Sequence, residues 1–361
     1  MAVMAMLATF CTARGIGRSS RRSGPERGPA RRALRTGGVV RHGCGGRARV
    51  RGDVDGRGGA TWRCVGAAPA GAALMAATAT AARPPLHLGQ EAVLAAILAA
   101  ALVVLAFTSE RFLTIENLLN QGRLACEVGL VALPMTLIIV TGGIDLSVGS
   151  ILGLCAIMLG VLWKNLGLPL ELAIFLTLAI GTCAGLVNGL VITRIGVPPL
   201  IATLATLALY RGLAEGISQA RSVRGYPDWF FTLGQGELLG VPTQLWLLLA
   251  AILVFGVLLA RTAFGRTLYA IGNNETAARF SGLRVDHAKL TIYALSGFMA
   301  ALAAWIFVSR VSTTRSDMGT GLELDAIAAV VLGGTSIFGG TGSILGTVLG
   351  VVLVQLLKNG L

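Results

Sequence analysis

From residue 90 onward, long apolar runs alternate with short polar or glycine-rich breaks. The runs fall at roughly 90–107, 124–141, 146–163, 169–192, 199–217, 244–260, 290–308 and 324–357. A hydrocarbon core ~30 Å thick takes about 20 helical residues to cross, so each run reads as a candidate span. Open sheet edges find no partner in lipid, and nothing here alternates with period two as a barrel strand does. The pattern predicts an all-α, polytopic transmembrane bundle of about eight to nine spans. The last run is too long for one helix. Gly339, Gly340 and Gly342 interrupt it, which predicts two helices or a re-entrant hairpin.

The breaks carry their own patterns. Phe112, Ile115, Leu118 and Leu119 recur at helical spacing, with Glu110, Arg111, Glu116 and Asn117 between them. This predicts a short helix lying on the membrane surface. Residues 218–243 read as a long polar loop. Its Trp229, Phe230 and Phe231 are expected to anchor at the headgroup level. Glycine repeats every fourth residue at Gly181, Gly185 and Gly189, again at Gly342, Gly346 and Gly350, and more briefly at Gly149 and Gly153. Small faces let helices approach closely in lipid, where no hydrophobic drive joins them. Helices sliding along such faces is a further reading.

Composition supports the membrane reading. Of 361 residues, 54% are hydrophobic and only 13% charged, against about 25% charged in soluble domains. The net charge of +13 is misleading, because residues 1–84 hold 15 arginines against Glu26, Asp53 and Asp55. Residues 1–74 therefore read as a disordered Arg/Gly/Ala-rich leader, unable to bury enough apolar surface to offset chain entropy. A basic tail touching anionic lipid or nucleic acid, a transit peptide, and a start codon placed too early all fit. The early start is adopted, with Met75 opening a permease domain at 75–361. No nucleic-acid partner is assigned.

Cys126, Cys155 and Cys183 lie singly in apolar runs, Cys11, Cys44 and Cys64 lie in the leader, and His42, His87 and His287 are scattered. No metal site or disulfide framework is expected. Residues 261–289 carry Arg261, Arg266, Arg279, Arg284 and Lys289. Basic excess marks the cytoplasmic side, and six preceding spans put the N-terminus there too. Arg221, Arg224, Arg310 and Arg315 fall on the opposite side and weaken the rule.

Two interruptions carry candidate chemistry. In "TGGIDLSVGS", Gly142 and Gly143 permit a break and Asp145 is expected to cap the next helix, with Ser147 and Gly149 following. A capped turn and a broken-helix element lining a pathway both fit. In "IGNNETAARFSGLRV", Asn273 or Asn274 is the expected N-cap, with Glu275 in the first turn, Arg279 in the last and Gly282 at C′. Its Ala277 and Ala278 form a face small enough to dock in a partner's groove. A surface helix without a partner fits these residues as well.

At this point the sequence resembles a family. "GIDLSVGS" after an apolar span is similar to the ribose-type permeases of bacterial ATP-binding-cassette (ABC) sugar importers. The stretches "GNNETAARFSGLRVDHAKLTIYALSGFMAALAA", "GLVNGLVITRIGVPPLIATLATLALYRGLA" and "LDAIAAVVLGGTSIFGGTGSILGTVLG" resemble further blocks of that family, in order, over about residues 88–361. The resemblance implies a permease subunit for monosaccharide import across the bacterial inner membrane. Its implied partners are ABC ATPase subunits, a periplasmic or lipid-anchored sugar-binding protein, a second permease copy or paralogue, and membrane lipid. The helix at Asn274–Gly282 would insert into a cleft on the ATPase. Relatives of this type handle pentoses, hexoses, deoxyhexoses and a furanose-like autoinducer. "GYPDWFFTLGQGELLGVPTQLWLLL" looks closest to the rhamnose and autoinducer branches. The leader has no counterpart in the family, which usually continues past Leu361 into another span; a C-terminally truncated product is expected.

The chain has no GxxxxGK[ST] loop, and Lys164, Lys289 and Lys358 are its only lysines. No cofactor is expected on this chain; ATP belongs to the partner. No Ser–His, HExxH or paired-carboxylate arrangement suggests an enzyme. An ion-coupled secondary transporter for a small polar solute, using Asp145 or Glu127, is the alternative. Substrate-pathway candidates are Glu127, Asn188, Thr203, Thr206 and Asp325, though each is better suited to an interhelical hydrogen bond. Arg211 and Glu215 are spaced to pair on one helix face.

Overall fold

With no water to satisfy them, backbone amides in lipid must pair within their own segment, and the apolar runs all close into helices. The computed structural model describes residues 90–108, 114–219 and 221–360. The expected leader, residues 1–74, lies outside them. In chain order come α1 (Gln90–Thr108), α2 (Ile115–Val140) and α3 (Val148–Gly160), the last continued by a π-helical turn, Val161–Asn165. Next are α4 (Leu170–Leu190) with a π-helical turn at Val191–Ile195, and α5 (Pro199–Ser218). A folded cap follows, with β1 (Val223–Arg224), α6 (Thr232–Gln235), β2 (Glu237–Leu238) and β3 (Val241–Pro242). The remaining elements are α7 (Thr243–Arg261), α8 (Ala263–Asn273), α9 (Glu275–Phe280), α10 (Val285–Val311), β4 (Thr313–Thr314), α11 (Leu322–Leu332) and α12 (Ile344–Gly360).

Among the described residues, six helical segments are long and apolar enough to cross a membrane: Ile115–Val140, Val148–Asn165, Leu170–Ile195, Pro199–Ser218, Thr243–Arg261 and Val285–Val311. Ala92–Leu105 and Ile344–Asn359 are shorter apolar stretches. The long final run divides into two helices, as its glycines predict. At 11 residues, α11 reaches only about 16 Å, too short to cross alone. It folds back onto α12.

The glycine faces set the packing. A Cβ on Gly181 would lie 2.7 Å from Gly297 O, and one on Gly185 would overlap Tyr293 O, so α4 and α10 meet backbone to backbone. Gly346 and Gly350 leave the same room for Gly333 O and Ala329 O where α12 crosses α11. Gly153 admits Met318 O at 2.9 Å beside α3. Close van der Waals contact replaces the hydrophobic drive that lipid cannot supply. The second half of α2, from Cys126 to Val140, is buried throughout, whereas α7 turns Leu249, Leu253, Val254 and Val257 outward.

Three sequence expectations are corrected. Ile115, Leu118 and Leu119 belong to the first turns of α2, not to a separate surface helix, because Thr114 caps the long helix by accepting the Asn117 N–H at 3.4 Å. Glu110, Arg111 and Phe112 lie outside the described residues. Phe230 is buried rather than anchored at headgroups. It stacks on Tyr226 at 4.6 Å, which stacks on Trp163 at 4.4 Å, while Trp229 is exposed. Arg211 does not pair with Glu215; it donates to Ser316 O at 2.7 Å and Met318 O at 3.0 Å, pinning the turn before α11.

Candidate functional site

The short helix α9 has both ends built as its sequence predicts. Of the two candidate caps the structure selects Asn274, in extended conformation, whose Oδ1 accepts the Ala277 N–H at 2.9 Å. At the other end Gly282 takes φ +80°. Its N–H donates to Arg279 O and that of Leu283 to Ala278 O, both at 3.1 Å, which is the paired closure of a left-handed helix end. Glu275 accepts from Arg279 at 3.0 Å and from Lys289 at 2.6 Å, and Arg279 also donates to Asp286 at 2.6 Å. Burial pushes the Glu275 carboxyl up. The hydrogen bonds from Lys289 and Arg279, with their charges, outweigh that and hold it below the ordinary carboxylate value.

One part of the docking expectation fails. Ala278 is buried against the chain's own bundle, so that side of α9 turns inward; Ala277 and Phe280 face outward. Phe280, 89% exposed, went unnoticed in the sequence, where a lone aromatic gives no periodic signal. The element that leads into it is anchored. At Gly272 of α8 a Cβ would overlap Val140 O, and Gly340 donates its N–H to Val140 O at 2.9 Å. Tyr269 donates to Gly342 O at 2.6 Å. These contacts tie the loop carrying α9 to the end of α2 and to the turn between α11 and α12. On that turn Phe338 stands 93% exposed.

The glycine-broken motif forms a buried polar cluster. Asp145 Oδ1 accepts the Ser147 N–H at 3.0 Å and the Ser147 hydroxyl at 2.6 Å, and Oδ2 accepts the Ser296 hydroxyl from α10 at 3.1 Å. Asn188 of α4 donates to Ser147 Oγ at 2.7 Å. Thr203 of α5 donates back to Pro199 O at 2.9 Å and lies 3.2 Å from Ile144 O. Asp145 therefore does not cap α3 as expected. It sits two residues before the N-cap, Ser147, and spends its acceptors on that serine and on another helix. Among the described residues Thr206 bonds within α5, to Thr203 O at 3.2 Å. Gly142, at φ +78°, turns the chain here, and at Gly143 a Cβ would lie 3.0 Å from the Tyr293 hydroxyl. Gly149 packs on the turn that leads into α11. The sequence contained no sign of Ser296 or Tyr293.

Glu127 and Asp325 line something else: a cavity of about 550 Å³ between α2, α10, α11 and α12. Arg310 holds Glu127 with two hydrogen bonds, at 2.7 and 3.1 Å, and lies over the Phe307 ring at 5.0 Å. Lys358 pairs with Asp325. These cations were legible in principle, since an acid within a span requires a partner. The five pathway candidates thus divide, with Asn188 and Thr203 around Asp145, Thr206 just beyond, and Glu127 and Asp325 on the cavity. No group of three or more His, Cys, Asp or Glu with metal-holding geometry occurs among the described residues.

Residues 114–361 match the family described as branched-chain amino acid transport system / permease component. The curated relatives include the autoinducer 2 import system permease protein LsrD of Yersinia enterocolitica, 43% identical over 279 residues, which cover 76% of this chain and 84% of that protein. The protein of the same name from Yersinia pseudotuberculosis is 41% identical over the same shares of both chains, and that from Yersinia pestis 40%. No solved structure matches the chain.

Proposed function

The chain belongs to the branched-chain amino acid transport system permease family, and from that premise we propose that it is the membrane-spanning subunit of an ABC importer for a small sugar-like solute. It is a transport subunit, not an enzyme. The family description names amino acids, whereas the relatives at 40–43% identity are named for autoinducer 2 import. Identity at that level across 84% of the relatives' length favours the autoinducer and sugar side, in keeping with the monosaccharide-type motifs of the sequence.

The observation that carries the reading is α9. It is a helix of under two turns with both ends closed, exposing Ala277 and Phe280, and it follows α8, whose Gly272 packs on the end of α2 and on the α11–α12 turn. Such a rigid knob can transmit a push. In this proposal it seats on an ATPase subunit, which binds the nucleotide. Closure of the ATPase shifts α9, and through Gly272 and Gly340 the shift reaches two transmembrane elements, biasing the bundle between inward- and outward-open states. A solute-binding protein on the other face, a second permease copy and surrounding lipid complete the assembly. The loop carrying α9 is then cytoplasmic, as is the N-terminus, in a multi-pass protein of the bacterial inner membrane.

The test uses Ala277→Trp, a bulky change on the exposed face of α9. Co-purification with the cognate ATPase should fall ~tenfold, equivalent to about 1.4 kcal/mol, with unchanged membrane insertion. Undiminished association would refute the docking role.

A further inference from the structure

We propose that the cavity between α8 and the first two turns of α10, beside α9, holds the phosphate headgroup of an anionic phospholipid of the inner leaflet. The proposal rests on the importer reading above for the side of the membrane it faces. The cavity encloses about 430 Å³, with Phe264 and Thr267 on α8, Leu283 and Arg284 on the link after α9, and His287 and Thr291 on α10. The outward side of α7 leads there. Leu253, Val257 and Arg261 recur on it every fourth residue and are all exposed, and Phe264 follows three positions later. Arg261 is the last residue of a segment long and apolar enough to cross the membrane. The cavity therefore lies at headgroup depth, within reach of a lipid whose chains run along α7.

Its charge selects an anion. Among the described residues no carboxylate lines the cavity. The nearby acids, Glu275 and Asp286, are taken by Arg279 and Lys289. Arg194, Arg261, Arg266 and Arg284 are exposed at the same end of the bundle and form no ion pair among the described residues. An arginine at an anionic membrane surface gains about 1 kcal/mol, and its planar fork matches two phosphate oxygens. Arg284 sits at the N-cap of α10, yet its side chain closes no cap bond, so the guanidinium can turn to a ligand. His287 adds a ring N–H, and the positive end of the α10 dipole falls at the same place. The hydroxyls of Thr267 and Thr291 donate to Ala263 O at 3.0 Å and His287 O at 2.8 Å. Their lone pairs remain to accept from a glycerol headgroup. Phe264 and Leu283 supply apolar wall for the first methylenes. A free phosphate would use the cations and leave that wall wet, whereas a lipid uses both. Such a lipid bridges α8 and α10, the two elements that carry α9, and holds their separation.

The full-length chain, purified in detergent, is given an equimolar mixture of dioctanoyl phosphatidylglycerol and dioctanoyl phosphatidylcholine, and the retained lipid is read by native mass spectrometry. Phosphatidylglycerol should be retained in preference. Arg284→Gln should cut that preference ~fivefold, the ratio equivalent to about 1 kcal/mol, and Arg284→Lys should cut it less. Thr291 is exposed, so Thr291→Trp fills the cavity without disturbing the core and leaves every charge in place. It should cut the preference as well. Arg224→Gln, at the opposite end of α10 beside β4, should leave it unchanged. Equal retention of the two lipids by the wild-type chain overturns the proposal. So does a preference that survives either Arg284→Gln or Thr291→Trp. Inorganic phosphate in ~tenfold excess over the lipid should displace little of it, because it has no chains to bury. Full displacement would assign the cavity to a free phosphate and overturn the lipid. None of these readouts needs the ATPase. Loss of ATPase association by the wild-type chain would refute the importer reading and leave the lipid result standing.

Discussion

Asp145 is fully buried and has no ion-pair partner among the described residues. Its oxygens are instead satisfied by one backbone N–H and two serine hydroxyls, which makes it a pin between the α2–α3 break and α10. Removing the carboxylate leaves two buried hydroxyls without their acceptor, each costing about 1–3 kcal/mol. Asp145→Ala should therefore lower the thermal midpoint of the detergent-purified protein and its transport, and Asp145→Asn should do so less. Normal behaviour of the alanine variant in both assays would remove the residue from consideration. Glu275 makes a pH prediction. Its folded-state value lies below the ordinary carboxylate value, so its stabilisation of α9 is complete above that ordinary value, about pH 4.3. It is lost as pH falls through the lower folded-state value. Peptic cleavage at the exposed Phe280 should rise on acidification from about pH 5 to 3 beyond the protease's own pH response. Glu275→Gln should show no such extra rise. Identical profiles for the two proteins would exclude the ion-paired account.

At the scale of elements, α9 shows what a helix owes to its ends. Six residues cannot hold a helix by propensity alone, so the Asn274 cap and the Gly282 turn carry it. Nothing lies within 4 Å of a Cβ built on Gly282, so a substitution there acts through the backbone and not through a clash. At φ +80° a β-branched residue costs about 1–2 kcal/mol. Gly282→Val should leave membrane insertion intact and reduce ATPase-driven uptake several-fold. Gly282→Asn should be milder, because asparagine tolerates the left-handed region. Unchanged uptake per inserted molecule with the valine would argue against transmission through α9. The caps were legible in the sequence because the bonds that close this helix reach no further than five residues. The inward turn of Ala278 was not, because it depends on how α9 lies against α10.

At the scale of the whole molecule, helix spacing governs assembly. Gly185 meets the α10 backbone at Tyr293, whereas Gly212 and Gly216 on α5 face open space. Gly185→Ala should cost about 1–3 kcal/mol by overpacking, seen as a lower melting temperature and a broadened elution profile in detergent. Gly212→Ala should be neutral. Equal tolerance of both would show that the α4–α10 crossing does not set stability. The sequence by itself determined six long spans of the eight to nine it predicts, the two interrupted motifs, the ends of α9 and the small faces of the helices. Each depends only on a segment's own residues and on a bilayer of known thickness. Only the tertiary structure decided which polar groups meet. It joined Asp145 to Ser296 across 151 positions and Glu127 to Arg310 across 183. It also divided the pathway candidates between a buried cluster and an open cavity. The physical reason is that these meetings depend on the rotation and depth of one helix relative to another. Those are fixed by close glycine contacts between distant segments, and hydropathy along one segment does not encode them.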